Sequence, residues 1–193
     1  VYITPILVYA YLCILTLLSY KGAVTNILFT LCLTILVSFY EEVFFRGIIL
    51  GYLIFDRKNK TLIKKNENHI FYSLIISSII FSLSHVSNYI NTNMNISIVL
   101  PQLVFTFSIG LILGIQYIRS GNLISSIFLH FLIDIPSILY LSRPLQHNLD
   151  ISKNIIFNTK LKLLLLFLIL CMIYTLVFIN NNEKNHYKLV INN

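Results

Sequence analysis

Long apolar runs separated by short polar breaks dominate the chain. About six of them, at residues 3–20, 26–55, 69–90, 97–118, 122–141 and 161–179, meet or approach the length of about 20 residues that a membrane-crossing helix needs. The second run exceeds one perpendicular span, so it tilts, bends near its acidic pair, or protrudes. The polar break at 56–68 carries Arg57, Lys58, Lys60, Lys64 and Lys65. Alternating the spans puts both termini on that more basic side, the cytoplasmic side by the positive-inside rule. Pro101 falls near the start of the fourth run, where proline is better tolerated than mid-helix. Pro136, inside the fifth, frees the carbonyl of Leu132 and predicts a kink beside Asp134. Gly110 and Gly114, one turn apart, predict close helix packing. With no Gly/Ser-rich linker and no internal repeat, the expected architecture is a single all-α, polytopic membrane bundle over 1–193, its motif-bearing core at about 26–141.

Composition strengthens this reading. Of 193 residues, 57% are hydrophobic and 11% charged, against about 25% charged in a soluble domain. A net charge of +7 would suggest nucleic acid for a soluble protein. Here the bases sit in breaks between apolar runs, which fits topology control and contact with anionic lipid, with no nucleic-acid partner. Cys13, Cys32 and Cys171 all lie in apolar runs and read as small buried hydrophobes. The first run lacks the short apolar core and small-residue cleavage site of a signal peptide.

Against this background the intramembrane polar groups stand out. Ser38 to Gly47 reads Ser-Phe-Tyr-Glu-Glu-Val-Phe-Phe-Arg-Gly, between runs fit only for lipid or a protein core. Ionisable groups at membrane depth cost at least a few kcal/mol each and usually mark a working site. On a helix Glu42 and Arg46 are i,i+4 neighbours and can pair. Glu41 lies about 100° round from Glu42 and has no such partner. Two further i,i+4 pairs follow on other runs, Phe81 with His85 and His130 with Asp134. Convergence of all three clusters in one intramembrane cavity avoids exposing any of them to lipid. A buried network that only pins the helices together is the bland alternative.

Such a cavity suits hydrolysis. A glutamate kept from bulk water can serve as general base on a water molecule, a histidine beside it can share that water, and a second can donate to the oxyanion formed at a carbonyl. Asp134 could hold the His130 ring in a donor tautomer or keep it protonated. Glu, His and His also make a zinc ligand set, but the His-Glu-xx-His signature of zinc hydrolases is absent, so zinc ranks second to no cofactor. Neither Gly-x-Ser-Gly nor Gly-x-Gly-Asp occurs, which argues against serine and paired-aspartate intramembrane proteases. A proton-coupled carrier also uses membrane Glu and His, but carriers carry repeats with broken helices, and the chain shows none.

Glu-Glu-xxx-Arg, then Phe-xxx-His, then His-xxx-Asp, in that order on successive runs, resembles the CPBP family, also called Abi. It comprises the type II CAAX prenyl endopeptidases and their bacterial relatives. The resemblance spans about 33–139. It implies an all-helical intramembrane glutamic endopeptidase, with Glu41 as the base, His85 helping to position the water, Glu42 and Arg46 as the supporting ion pair, and His130 with Asp134 at the oxyanion site. The implied partner is a peptide or protein substrate, lipidated or membrane-associated. The short chain leans towards a bacterial plasma-membrane member, tied to CAAX-type cleavage or to peptide and bacteriocin processing. A non-catalytic immunity or scaffold protein that keeps the motifs is the other class. The eukaryotic enzymes carry Asn at the position of Asp134, and an ionised Asp cannot donate to an oxyanion as Asn can. The preferred reading is that Asp134 orients His130, which does the donating.

Overall fold

The computed structural model describes residues 3–20, 24–56, 61–62, 67–87, 96–141, 166, 169–170, 173–174 and 177. These residues form a helical assembly: α1 (Ile3–Ser19), α2 (Val24–Glu42), a π-helical segment (Val43–Leu50), α3 (Gly51–Ile54), α4 (Glu67–Ser84), α5 (Ile96–Ser120) and α6 (Leu123–Leu141). The polar break at 56–68 is not wholly irregular, because β1 (Phe55–Asp56) pairs antiparallel with β2 (Thr61–Leu62). Most of the expected sixth span lies outside the described residues.

Among the described residues two helices are long and apolar enough to cross a membrane by themselves, Val24–Ile54 with 31 residues and Val99–Ser120 with 22. Ile3–Leu18, His69–Ser84 and Leu123–Pro136 are shorter apolar helices. α4 ends earlier than the apolar run that predicts it, just before His85. Pro101 lies in the second turn of α5, and α6 runs on through Pro136 to Leu141.

The excess length of the second run is absorbed by a change of helix type. A buried stripe of Thr30, Thr34, Ser38, Glu42, Arg46, Leu50 and Ile54 takes every fourth position, with Phe45 buried beside Arg46. In an α-helix four residues turn about 400°, so such a stripe drifts about 40° per step and about 120° between Thr30 and Glu42. The π-helical segment takes more residues per turn and winds the drift back, so Arg46 and Leu50 stay on the inner side. Its bonding is visible at Gly51, whose N–H reaches the carbonyl of Arg46 five residues earlier. The Ser77 hydroxyl of α4 donates to the Phe45 carbonyl at 3.3 Å.

Packing places α6 against α1, α2 and α5, and α4 against α5 and the π-helical segment. Leu50, Ile54, Leu74, Leu111, Ile115 and Ile118 form one apolar core, and Ile109, Leu113, Leu129 and Ile133 another. α4 and α5 pack closely at Gly110, where a Cβ would stand 3.0 Å from that of Ser78. α2 is inverted relative to a soluble amphipathic helix. Thr30, Thr34, Ser38 and Glu42 face inward while Leu28, Phe29, Leu36 and Phe39 are exposed, and a large exposed apolar face calls for an apolar surrounding.

Candidate active site

The first motif straddles the junction of α2 and the π-helical segment. Glu42 and Arg46 form the ion pair that their spacing predicts, with Arg46 Nη1 donating to Glu42 Oε1 at 2.6 Å. Both side chains are buried, at 0% and 1% exposure. Arg46 Nη2 also donates to the Gly110 carbonyl of α5 at 3.3 Å.

The third motif arrives on α6, whose start is well defined. Gly121, with a φ of 64°, closes α5 in the left-handed region, and Asn122 Oδ1 accepts the Ile124 N–H at 2.8 Å as the helix cap. From there Ser126, His130 and Asp134 recur every fourth residue, with Ser126 and His130 buried. His130 Nδ1 lies 2.9 Å from Glu42 Oε1. A carboxylate paired with arginine is an acceptor only, so Nδ1 is the donor in that bond. The other ring nitrogen, Nε2, faces Glu41 Oε2 at 3.7 Å and Asp134 Oδ2 at 3.5 Å. These separations exceed those of good hydrogen bonds, and Glu41 and Asp134 are only partly buried, at 22% and 23% exposure.

The two adjacent glutamates thus stand in different environments. Glu42 is sealed and holds Arg46 and His130 together; Glu41 is open and makes no hydrogen bond to another described residue. Five predicted site residues come together here: Glu41, Glu42, Arg46, His130 and Asp134. His85 stands apart, in the turn that follows α4. Its Nδ1 lies 3.1 Å from the Phe81 carbonyl and 3.3 Å from Ser84 Oγ, and among the described residues it bonds to neither Glu41 nor His130. It is near enough to Asp134 to couple with it electrostatically. Among the described residues no three His, Cys, Asp or Glu side chains converge as a metal-ligand set.

Sequence reasoning missed two partners. The Gly110 carbonyl carries no side-chain signal, and the Glu42–His130 contact joins residues 88 positions apart. The order of the motifs is the only hint of that second contact.

No curated protein and no solved structure shows significant similarity to the chain. The family model described as Type II CAAX prenyl endopeptidase Rce1-like matches residues 23–136. That stretch begins at the head of α2, ends at Pro136 and contains every residue of the cluster. With more than half its length matched, the chain belongs to the Rce1-like type II CAAX prenyl endopeptidases, a family of membrane-embedded proteases.

Proposed function

We propose that the protein is a multi-pass intramembrane endopeptidase that hydrolyses a peptide bond with a water activated by Glu41. The observation that carries this reading is the contrast between the two glutamates. Glu42 is engaged by Arg46 and His130, while Glu41 is partly exposed and faces the other ring nitrogen of His130.

In this mechanism Glu41 takes a proton from water as the oxygen adds to the scissile carbonyl. The tetrahedral oxyanion is met by His130 Nε2. Donation from Nε2 requires the doubly protonated ring, since Nδ1 already donates to Glu42. Glu42, Glu41 and Asp134 share the charge of that ring. The proton held by Glu41 then passes to the leaving amine as the C–N bond breaks. His85, whose ring lies against Phe81 and close enough to Asp134 to couple with it, helps to order the attacking water. The substrate is a peptide or protein segment presented at the bilayer, with a prenylated CAAX-type C-terminus as the first class to test.

The test is cleavage of prenylated and unprenylated peptides by the purified protein in detergent, wild type against Glu41→Gln, with and without a chelator. Glutamine keeps the shape and removes the base. Cleavage by the wild type that survives chelation and drops by at least about 100-fold in the variant is the expected result. Cleavage retained by Glu41→Gln refutes the assignment, and loss on chelation moves the chemistry to a metal.

A further inference from the structure

Phe81 has no polar atom, yet it touches all three motifs. It is 1% exposed. Its ring centroid lies 5.2 Å from that of His85, 5.8 Å from that of His130 and 5.0 Å from that of Phe45, each pair edge to face. The Arg46 guanidinium carbon stands 4.4 Å from the same centroid. One ring from α4 therefore bears on the π-helical segment, on α6 and on the turn holding His85.

The contact with Arg46 has the larger consequence. Nη1 and Nη2 of that guanidinium have acceptors, but Nε is buried without one, a costly state for a charged donor. The electron-rich face of Phe81 supplies the remaining electrostatic compensation. Arg46 holds Glu42 Oε1, and Glu42 Oε1 holds His130 Nδ1. Phe81 thus presses on both ends of a three-residue chain, while Ser77, one turn back on α4, ties that helix to the Phe45 carbonyl.

We infer that Phe81 is a positioning residue, whose ring face fixes Arg46 and so aims Glu42 and His130. Its effect on catalysis rests on the reading of His130 as a reacting group; its effect on geometry does not. A purely space-filling phenylalanine is the competing account, and it makes different predictions.

The experiment compares Phe81→Leu, which keeps apolar bulk and removes the ring face, with Phe81→Tyr, which keeps the face. Each is read by melting midpoint, by the nitrogen-15 signals of labelled histidine in detergent, and by kcat and KM on a cleaved peptide. Phe81→Leu is expected to stay folded, to shift the His130 Nδ1 signal, and to lose about 100-fold in kcat with KM little changed, the scale of a 1 Å misplacement. Phe81→Tyr is expected to keep the wild-type signal and most of kcat. A folded Phe81→Leu with the wild-type His130 signal overturns the inference, as does Phe81→Tyr behaving like Phe81→Leu. If Phe81→Leu does not fold, trifluorophenylalanine at position 81 decides. It keeps the shape and depletes the ring face, so a His130 signal unchanged by it refutes the role. Should the wild type cleave no peptide, the proposed peptidase function fails, and the histidine signals still decide this one.

Discussion

Arg46→Met tests whether the buried ion pair is a structural keystone. Arg46 and Glu42 are 1% and 0% exposed, so solvent screens neither. In the variant Glu42 keeps the His130 bond at 2.9 Å and loses the 2.6 Å bond to Nη1. Removing one partner of a buried pair costs about 3–5 kcal/mol. At roughly 2–4 °C per kcal/mol for a chain of this size, the midpoint should fall by about 6–20 °C. Removing both charges, in Arg46→Met with Glu42→Gln, leaves no orphaned charge, and the new amide oxygen can still accept from His130 Nδ1. That double variant should melt above Arg46→Met alone. The chain has no Trp, so unfolding is best followed by a thiol-reactive dye. Cys13 is buried and Cys32 exposed, and a Cys32→Ser, Cys171→Ser background makes Cys13 the reporter. A midpoint for Arg46→Met within about 2 °C of wild type, less than a single kcal/mol is worth, would refute the reasoning. So would a double variant that falls by the sum of the two single changes.

Two further predictions follow from the packing and from the His130 ring. Gly110→Ala brings a Cβ within 3.0 Å of Ser78 Cβ and 3.2 Å of its Cα; backbone must move, and melting should show a loss of about 1–3 kcal/mol. Gly114→Ala meets the Leu74 Cδ2 methyl, the end of a flexible side chain, and should cost less in the same assay despite the closer approach. His130→Ala should abolish peptide cleavage, while Asp134→Asn keeps a substantial part of it, because Glu42 and not Asp134 holds Nδ1. The reverse order of activities would sink the oxyanion assignment.

What could be read from the chain was what local spacing dictates. Apolar runs marked the helices, and the step of four residues predicted the Glu42–Arg46 pair. The length of the second run announced an irregularity without choosing among tilt, bend and protrusion. The choice fell to a π-helical segment, because the inward stripe has a period that a straight α-helix cannot keep. Tertiary contacts were out of reach. Asp134 was the expected partner of His130 because it is one turn away, yet Glu42, from another helix, is nearer. Likewise the sequence pairs Phe81 only with His85, one turn away, and nothing in it says that α4 carries the ring across to Arg46 and His130.

The Glu42–Arg46 pair also bears on how the chain is made. Synthesis runs from the N-terminus at about 5–20 residues per second, so the 88 residues separating Glu42 from His130 take roughly 4–18 s to follow. For most of that interval α2 has neither partner available, since the Gly110 carbonyl is made only 20 residues before His130. The two charges lie within one helical turn of each other, so the pair forms as soon as that turn does, with no help from later helices. A segment that delivers ionisable groups to an apolar site thus travels with its own counter-ion, and its charges are compensated before the rest of the site exists.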